Sequence, residues 1–403
     1  MPEYLSAHDA AAELGVSLAT LYAYVSRGLV RSEREGAARR RRYLAEDVWM
    51  LNERKRARRD PARTARDALH WGMPVLESRL SVIHGGRLFY AGIDAVELAR
   101  SRRVEEVAAL LWTGDLSAPL SADALRIDAA RWRTIAALAQ RLPALEGLQL
   151  FLPLVSAHDP FAYDLRPAAV YRAGAHILRV LAAAAVGAQP SLQPVARVLQ
   201  RRWAPRDPEA VRLLDAALVL YADNGLNPSS FTARCVASAG STPYAVVAAG
   251  LAALQGVKHG GACERAAGLL DEVRDPHSAQ ATVAARLRRG EAVPGFGHPL
   301  YPDGDPRAAF LLELIASYRP KSAEVARARA LVEAVRDTMG ERPTIDFAVV
   351  ALCRTLALPP SAPLLLLGVA RVVGWIGHGL EQYQEGRAIR PRARYAGALP
   401  ATE

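Results

Sequence analysis

A long series of apolar segments with helical spacing, separated by glycine and proline, begins near residue 68 and constrains the fold more than any other feature. Hydrophobic residues make up 51% of the 403 residues, and alanine and leucine, which favour helices, outnumber the β-branched and aromatic residues that favour strands. Aromatic residues, at 6%, are too sparse for a typical β-sandwich. We therefore predict a mainly helical globular protein, long enough for two or three domains.

Helices are predicted wherever apolar residues recur at helical spacing, and this assigns most of the chain after residue 68. The segments are 95–112, 123–140, 167–186, 208–222, 243–254 and 363–383. Residues 81–93 instead alternate apolar and polar side chains around Gly85 and Gly86, which predicts a small hairpin. The longest apolar stretch, 362–373, contains Arg371 and is too short to span a membrane, so we expect no membrane association.

The charge and the cysteine content indicate anionic partners and a reducing compartment. The formal net charge is +10, and all but three of the 51 basic residues are arginine, which suits bidentate binding of carboxylates and phosphates. The arginine content can also reflect genomic base composition, and net charge does not separate nucleic acid from anionic metabolites. Three widely spaced cysteines without a CxxC pair argue against a zinc site, and the polar N-terminus lacks the pattern of a signal peptide. We therefore expect a cytoplasmic protein without a metal.

Residues 1–60 form a separate predicted module of two short helices and a basic hairpin. Ser6 and Ser17 stand where helix N-caps are expected, and Gly28 ends the second helix before the arginine-rich stretch 31–42. A third helix is predicted over 45–58, and a charged linker follows it. This order fits a winged helix-turn-helix, although a helical appendage that packs on the main body fits the same pattern.

The segment AAAELGVSLATLYAYVSRGLV in this module resembles the DNA-binding domain of the MerR and excisionase families. In those families the second helix enters the major groove and the wing contacts phosphate. The resemblance therefore implies DNA contacts, here at Ser17, Thr20, Tyr24, Arg27, Arg39 and Arg40. Nearby acidic residues dilute the local positive charge and weaken the electrostatic footprint.

Two histidines lie in glycine-rich segments of the main body. His259 is followed by two glycines in GVKHGGACE, just before an apolar helix, which leaves its ring uncrowded and lets a ligand approach the backbone. The turn PGFG at 294–297 presents His298, and Arg307 follows nine residues later. Each segment alone is equally compatible with an ordinary loop, so neither histidine gains a catalytic role from its own surroundings.

Two charged residues stand in otherwise apolar segments. Asp346, in RPTIDFAVVALC, would be partly desolvated there and suited to act as a general base, although it can equally be the N-cap of the helix that follows. Arg371 lies within the helix predicted over 363–383, where an unpaired charge is expensive. A buried Arg371 therefore needs an anionic partner from the protein or from a substrate.

These segments, in this order and spacing, resemble the citrate synthase family over residues 72–397. The family's Leu-Asn-x-Ser/Thr-x-Phe-x-Ala-Arg segment matches residues 226–234, and its entrance segment matches SVIHGGRLFYAGIDAVEL. The resemblance implies an almost all-helical fold with a large domain (68–256 and 360–403) and a small domain (257–359). These domains would close on the substrate, and the winged helix-turn-helix would precede them.

The resemblance also implies a condensation of acetyl-CoA with oxaloacetate and water that gives citrate and CoA, without a permanently bound cofactor. Asp346 matches the base, His259 the residue that stabilises the enol or enolate, and His298 the partner of the ketone. The implied oxaloacetate contacts are Asn224, Arg307, Arg371 and Arg390. The implied coenzyme A contacts are Lys258, Gly295, Phe296 and Gly297.

Two of these assignments carry a further implication or an alternative. The residue that matches Arg390 reaches the neighbouring subunit's site in the family, so the resemblance implies a homodimer. Lys258, one of only three lysines, can equally be a solvated loop charge rather than a phosphate ligand.

Two positions depart from the family's pattern. Asn224 replaces the histidine that usually contacts oxaloacetate and can donate only a neutral hydrogen bond, and Cys263 stands where asparagine is common. Citrate synthase activity therefore has two competitors. One is a 2-methylcitrate synthase that uses propionyl-CoA, and the other is a DNA-binding regulator that senses a CoA ester or keto acid through a weakened synthase domain. Asn224 and residues 1–60 favour the regulator, whereas the three catalytic candidates oppose it.

Overall fold

The chain divides into two units, Met1–Glu77 and Ser78–Glu403. The computed structural model describes residues 4–34, 41–45, 47–49, 51–52, 76–120, 127–393 and 395–397. Helices predominate in the described residues, which confirms the predicted mainly helical fold class.

The first unit contains two short helices and a three-stranded antiparallel sheet. Its elements are β1 (Tyr4–Leu5), α1 (Ala7–Leu14), α2 (Leu18–Ser26), β2 (Ser32–Arg34) and β3 (Arg41–Leu44), and the strand order is β1-β3-β2. Both predicted caps are confirmed, because Ser6 accepts a hydrogen bond from the Asp9 amide and Ser17 accepts one from the Thr20 amide. Of the helix predicted over 45–58, the described residues up to 52 are helical and the remainder lies outside the described part of the chain.

A small core of its own holds the first unit together. Apolar side chains from both helices meet Tyr43 of β3 and Val48 of the following helix, and none of them is appreciably exposed. The remaining members are Ala10, Ala11, Leu14, Leu21 and Val30. Two helices packed against a small sheet match the predicted winged helix-turn-helix arrangement.

The second unit begins with the predicted hairpin, which is confirmed and carries a third strand. Strands β4 (Ser81–His84), β5 (Arg87–Tyr90) and β6 (Ile93–Asp94) pair antiparallel in sequence order. The connection between β4 and β5 is Gly85-Gly86, and both residues have positive φ values (56° and 70°), which glycine adopts without steric cost.

Sixteen α-helices follow among the described residues. They are α3 (Ala95–Ser101), α4 (Val104–Thr113), α5 (Ala129–Ala139), α6 (Ala144–Gln149), α7 (Phe151–His158), α8 (Pro167–Ala185), α9 (Val195–Trp203), α10 (Ala210–Tyr221), α11 (Pro228–Ser238), α12 (Pro243–Leu254), α13 (Gly261–Glu272), α14 (Ala279–Arg288), α15 (Pro306–Tyr318), α16 (Ala323–Met339), α17 (Ile345–Thr355) and α18 (Ala362–Glu385). A short 3₁₀ turn, Pro276–Ser278, precedes α14.

Two of the predicted helices differ from the observed ones. The helix predicted over 95–112 is wrong as a single element, because the backbone is extended at Arg102 and Arg103 between α3 and α4. The Asp215 carboxylate accepts a hydrogen bond from the Val104 amide at 3.3 Å, which satisfies a backbone donor at the start of α4. Helix α5 begins at Ala129 rather than 123, with Asp128 as its N-cap, and residues 121–126 lie outside the described part.

Two hydrophobic clusters fill the second unit. The larger one surrounds α18 and includes α8, α10 and α12. The smaller one joins α13, α14, α16 and α17, with Leu331 and Phe347 fully buried in it. The boundaries of the large and small domains stay a prediction.

Helix α18 is longer than the apolar stretch 362–373 that the sequence shows. Its 24 residues are long and apolar enough to cross a membrane by length and composition alone, but 94% of its apolar window is buried inside the protein. It is therefore the central core helix of this unit.

Contact between α12 and α18 allows no side chain at Gly250. A methyl group there would lie 2.5 Å from two ring atoms of Trp375, whose indole also reaches the site described below. We expect Gly250→Ala to lower the free energy of unfolding by about 1–3 kcal/mol, measured by denaturant titration. Gly268→Ala is the matched control, since a methyl group at that position of α13 meets nothing within 4 Å and should stabilise by roughly 0.5–1 kcal/mol. Equal stability of the two variants would contradict the overlap.

Burial of Asp215 on α10 predicts a dependence of stability on pH. Burial, with the Glu105 carboxylate adding to it, raises the pKa of Asp215 to about 7. The folded protein therefore keeps a proton that the unfolded chain, with a pKa of about 3.9, releases, so the free energy of unfolding falls as pH rises from about 4 to 7. An asparagine keeps the acceptor for Val104 without this cost. Between pH 5 and pH 8 the wild-type protein should lose on the order of 2 kcal/mol more than Asp215→Asn, and parallel losses would disprove the buried ionisation.

Candidate active site

Polar groups from five places in the second unit converge at the middle of α18. They come from the turn between α10 and α11, the turn before α13, the loop before α15, the first turn of α17 and the middle of α18. Hydrogen bonds and electrostatic interactions connect these places, so residues up to about 150 positions apart share one site.

Serine 229 holds His259 in the turn before α13. The Nε2 atom of His259 lies 3.0 Å from Ser229 Oγ, which also receives a hydrogen bond from Trp375 Nε1 at 3.1 Å and donates one to Asn227 Oδ1 at 2.7 Å. Gly260 must be glycine, because a methyl group there would overlap the Leu254 carbonyl oxygen. Burial, with the positive charge of Arg371 second, lowers the pKa of His259 to about 4, so the imidazole is neutral at pH 7.

The loop that carries His298 is attached to the segment that precedes α17. The Gly297 amide donates to the Arg342 carbonyl at 2.9 Å, and the Thr344 amide donates to the Gly295 carbonyl at 2.9 Å. Gly295 has φ +89°, and a methyl group there would press against Ala266 and Phe347 at 3.1 Å. These contacts fix His298 relative to the start of α17.

One backbone contact determines the tautomer of the neutral His298 ring. Its Nδ1 accepts a hydrogen bond from the Leu300 amide at 3.1 Å, so the proton of the neutral ring is on Nε2. Burial and the Arg307 guanidinium lower the pKa of His298, while the Asp305 and Asp346 carboxylates oppose that shift. His298 is therefore a neutral ring with one available N–H donor.

Asp346 lies half-buried in the first turn of α17. The alternative that it caps this helix is wrong, because Thr344 occupies the N-cap position. The Tyr221 hydroxyl donates to Asp346 Oδ1 at 2.8 Å, and the Cys263 thiol lies 3.5 Å from the same oxygen. The carboxylate is thus held on one side, and no described residue bonds Oδ2.

Arg307, at the start of α15, is buried and paired with Asp305. Its Nε and Nη2 donate to the two Asp305 oxygens at 2.9 Å and 2.8 Å, and Asp305 also accepts from the Ile345 amide at 3.1 Å. Burial alone would lower the pKa of Arg307, but Asp305 outweighs that effect and raises it. Asp305 therefore joins the arginine to the start of the helix that carries Asp346.

Asn224 is oriented by two donors. Arg307 Nη1 and the Tyr301 hydroxyl both lie 3.2 Å from Asn224 Oδ1. Because a guanidinium can only donate, this contact assigns the oxygen of the amide, and the Nδ2 amino group has no partner within the described ranges. Asn224 can therefore donate two hydrogen bonds to a ligand.

Arg371 is a buried cation whose hydrogen-bonding groups are incompletely satisfied. It is 5% exposed, and among the residues that the structure describes no acceptor bonds its Nε or Nη1. The nearest carboxylate oxygen, Asp223 Oδ1, is 3.9 Å from Nη1. This agrees with the expectation that Arg371 needs an anionic partner.

Asp223 connects α18 to the first strand of the unit. Its carboxylate is fully buried, accepts a hydrogen bond from the Ser81 hydroxyl and lies 3.4 Å from His378 Nε2. Burial would raise the pKa of Asp223, but His378 and Arg371 outweigh that effect and lower it. Gly374 makes this approach possible, because a methyl group there would lie 2.5 Å from Asp223 Oδ1.

Within the described part of the second unit, no hydrogen bond joins the side chains of Lys258, Phe296 or Arg390 to this cluster. Lys258 is exposed beside His259, and Arg390 is exposed on the coil after α18. Phe296 packs on Phe347 with ring centroids 4.8 Å apart, between Gly295 and Gly297. In the first unit, Ser17 and Arg27 are exposed and Thr20 and Tyr24 are half-buried, whereas Arg39 and Arg40 lie outside the described residues.

Several functional positions escaped the sequence argument. Asp305 carried a usable signal, since an aspartate just before a Pro-Arg helix start is a typical N-cap. Cys263 was visible only as a departure from the family's pattern. Tyr221 and Asp223 carried no signal, because a hydroxyl and a carboxylate next to apolar runs look the same at the surface and in a site. Within the described ranges, no group of three or more histidine, cysteine, aspartate or glutamate side chains could hold a metal ion.

Comparison with known proteins agrees with this fold. Residues 68–392 match the family described as citrate synthase, C-terminal domain, and residues 5–59 match the family described as MerR HTH family regulatory protein. The helical fold and its cluster of two neutral histidines, a carboxylate and buried arginines thus define an enzyme class, the acyltransferases of the citrate synthase type. The chain belongs to the citrate synthase family.

Three relatives illustrate the similarity. Citrate synthase of Haloferax volcanii is 33% identical over 81% of this chain and 94% of its own length. The 2-methylcitrate synthase of Shewanella oneidensis is 29% identical over 82% of this chain and 94% of its own length. The crystal structure of citrate synthase from Thermotoga maritima superposes with a TM-score of 0.69 at 28% identity, covering 82% of this chain and 96% of that one.

Proposed function

We propose that the second unit condenses acetyl-CoA with oxaloacetate and water to give citrate and CoA. One observation carries this proposal: the Asp346 carboxylate, of which only Oδ1 is bonded by described residues, shares a site with two neutral imidazoles, His259 and His298. An α-proton of a thioester is only weakly acidic, so a carboxylate can remove it only when donors meet the charge that develops on the thioester oxygen. The site provides the base and the donors together.

In the first step, Asp346 removes a proton from the acetyl methyl group and His259 stabilises the enol. The C–H bond breaks, its electron pair forms the enol double bond, and the thioester oxygen receives a hydrogen bond from the imidazole. The one hydroxyl proton of Ser229 can lie toward Asn227 Oδ1 or toward His259 Nε2, and when it is donated to His259 Nε2 the imidazole carries its own proton on Nδ1. A neutral imidazole is a good donor to an enolate because it does not become fully deprotonated in doing so.

In the second step, the enol carbon attacks the ketone carbon of oxaloacetate. A C–C bond forms, and the ketone oxygen takes up a proton from the Nε2–H of His298, whose orientation the Leu300 amide fixes. Asp346 then releases the proton that it removed from the methyl group and His298 regains one from solvent, so the two residues return to their starting states. Water then adds to the thioester carbonyl of citryl-CoA, the C–S bond breaks and CoA leaves as the thiol.

Oxaloacetate brings two carboxylates, and we assign them to the cationic side of the site. Arg371 offers donors that no described protein group uses, and Arg307 and Asn224 lie together beside it. Arg390 is exposed on the last coil, which suits a residue that reaches the site of a second copy in a homodimer. Coenzyme A would lie along Lys258 and the 295–297 turn.

The cellular setting belongs to the same proposal. No permanent cofactor is required, because acetyl-CoA is consumed as a co-substrate. Cys235, Cys263 and Cys353 are all free thiols, which supports a reducing, cytoplasmic location.

A release assay for free thiol tests the enzymatic proposal. Purified protein is given oxaloacetate with acetyl-CoA, and we expect CoA release that depends on both substrates. Propionyl-CoA in place of acetyl-CoA tests 2-methylcitrate synthesis, which the Shewanella oneidensis relative favours. The two acyl groups differ by one methylene, worth only about 1–3 kcal/mol in a pocket, so both rates have to be measured. No release from either thioester at high enzyme concentration would overturn the proposal.

We also propose that the first unit binds DNA, which is the feature that the regulator alternative requires. The match of residues 5–59 to a MerR family and the exposure of Ser17 and Arg27, the two residues that flank α2, support it. Binding should weaken as salt rises and should fall when Arg39 and Arg40 are both replaced with alanine. Equal binding by wild-type protein and this double variant at every salt concentration would contradict DNA recognition by the wing.

A further inference from the structure

Two neutral side chains contact the same oxygen of Asp346. The Tyr221 hydroxyl lies 2.8 Å from Oδ1 and the Cys263 thiol lies 3.5 Å from it, while the hydroxyl and the thiol are themselves 3.5 Å apart. Tyr221 is 1% exposed and Cys263 is 2% exposed. The hydroxyl, the thiol and Oδ1 therefore form a closed triangle, in which the hydroxyl and the thiol belong to buried residues.

Three different helices supply the members of this triangle. Tyr221 is the last residue of α10, Cys263 lies in the first turn of α13, and Asp346 lies in the first turn of α17. Helix ends of this kind are fixed by the packing of their whole helices. The position of Oδ1 is therefore set by the tertiary structure rather than by the rotamer preference of the aspartate alone.

Both partners of Asp346 keep their protons. Burial, followed by the nearby Asp346 carboxylate, raises the pKa of the Tyr221 hydroxyl and of the Cys263 thiol well above their ordinary values. A protonated hydroxyl and a protonated thiol can both donate to a carboxylate oxygen. The lone pairs of Oδ1 are thus directed at two donors, whereas Oδ2 has no partner among the described residues.

We propose that Tyr221, assisted by Cys263, is a positioning residue that holds Asp346 Oδ1 so that Oδ2 is the oxygen that removes the substrate proton. This inference rests on the proposed condensation. A carboxylate that could rotate would present either oxygen and lose the alignment that proton transfer from carbon requires. A donor on Oδ1 also favours the ionised form of the base.

Tyr221→Phe removes only the hydroxyl and tests this role. Because hydrogen bonds to charged groups are among the stronger ones, we expect kcat to fall roughly 10- to 100-fold. The KM for oxaloacetate should change less than about twofold, since the contacts of Tyr221 are with the base and the thiol and not with Arg307 or Asn224.

A matched control exists elsewhere in the same unit. The Tyr244 hydroxyl donates to Asp159 at 2.8 Å, and Tyr244 is as buried as Tyr221. Tyr244→Phe therefore removes the same kind of hydrogen bond without touching Asp346. It should leave kcat and its pH profile unchanged, and an equal loss in both variants would assign the effect of Tyr221→Phe to general destabilisation.

A readout that does not need turnover separates this inference from the proposed function. The ¹³C carboxyl resonance of Asp346, assigned by its absence in Asp346→Asn, is compared at one pH in wild-type protein and in Tyr221→Phe. It should shift in the variant, because the hydroxyl that donates to Oδ1 is gone, even if the wild-type protein released no thiol. Coincident resonances would overturn the inference whatever the activity.

A second variant tests the inference if Tyr221→Phe folds poorly. Incorporation of 3-fluorotyrosine at position 221 keeps the ring and makes its hydroxyl a stronger donor. The Asp346 resonance should then shift in the direction opposite to its shift in Tyr221→Phe. A shift in the same direction as Tyr221→Phe, or none, would also overturn the inference.

Discussion

Asp346→Asn is expected to lower kcat for CoA release by roughly 10²- to 10⁴-fold, the usual contribution of a positioned general base. The asparagine amide has nearly the shape of the carboxylate and keeps an oxygen that can accept from Tyr221, so the fold should survive. Its uncharged oxygen cannot remove a proton from carbon. The measurement is steady-state thiol release with saturating oxaloacetate and acetyl-CoA.

Two controls make this result specific. Oxaloacetate binding, followed by calorimetry, should persist, because Arg371 and Asn224 are unchanged. Asp128→Asn replaces an exposed N-cap aspartate of α5 with another good capping residue, and it should have full activity. An Asp346→Asn variant that retained more than a tenth of wild-type kcat would remove Asp346 from the role of base.

Arg371→Gln is expected to separate substrate affinity from stability. The affinity for oxaloacetate should fall by about 2–4 kcal/mol, because the variant lacks the cation whose Nε and Nη1 have no described protein acceptor. The thermal unfolding midpoint of the ligand-free protein should be equal to or higher than that of wild type, since burying an incompletely paired charge costs free energy. Calorimetry with oxaloacetate and a thermal melt provide the two measurements.

Arg234→Gln is the matched control for this prediction. Arg234 is as buried as Arg371, at 2% exposure, but it donates to Gln382 at 2.9 Å and pairs with Glu381 and Glu385 at 3.3 Å and 3.2 Å. Removing it leaves those groups without their cation, so this variant should be destabilised by about 3–5 kcal/mol and should bind oxaloacetate normally. If Arg371→Gln behaved in the same way, Arg371 would be a structural cation rather than a substrate ligand.

The sequence predicted the local features of this protein well. Ser6 and Ser17 cap their helices, the two glycines at 85 and 86 turn the hairpin, and α12 has the predicted bounds. Each of these features depends on side-chain-to-backbone contacts or periodicity over a few residues. The split between α3 and α4 was missed, and one group that satisfies the start of α4, the Asp215 carboxylate, lies 111 residues from Val104 in sequence.

The site was predictable only in part for the same reason. His259, His298 and Asp346 each occur in a short motif, and their order along the chain identified them. Tyr221 and Asp305 act through partners that are distant in sequence or on another helix, and a single sequence does not record such pairings. Asn224 was visible as a departure from the family, but its orientation by Arg307 and Tyr301 required the structure.

The network around Asp223 has a consequence for the synthesis of the chain. Asp223 is held by Ser81, 142 residues earlier, and lies beside Arg371, while Glu381 accepts from the Arg79 amide, 302 residues apart. Contacts of such long sequence separation form late, and at about 5–20 residues per second the ribosome adds α18 tens of seconds after β4. A nascent chain that ends before α18 has His259, His298 and Asp346 but no Arg371. On the proposed assignment of Arg371 to oxaloacetate, the complete binding site therefore exists only once translation has passed α18.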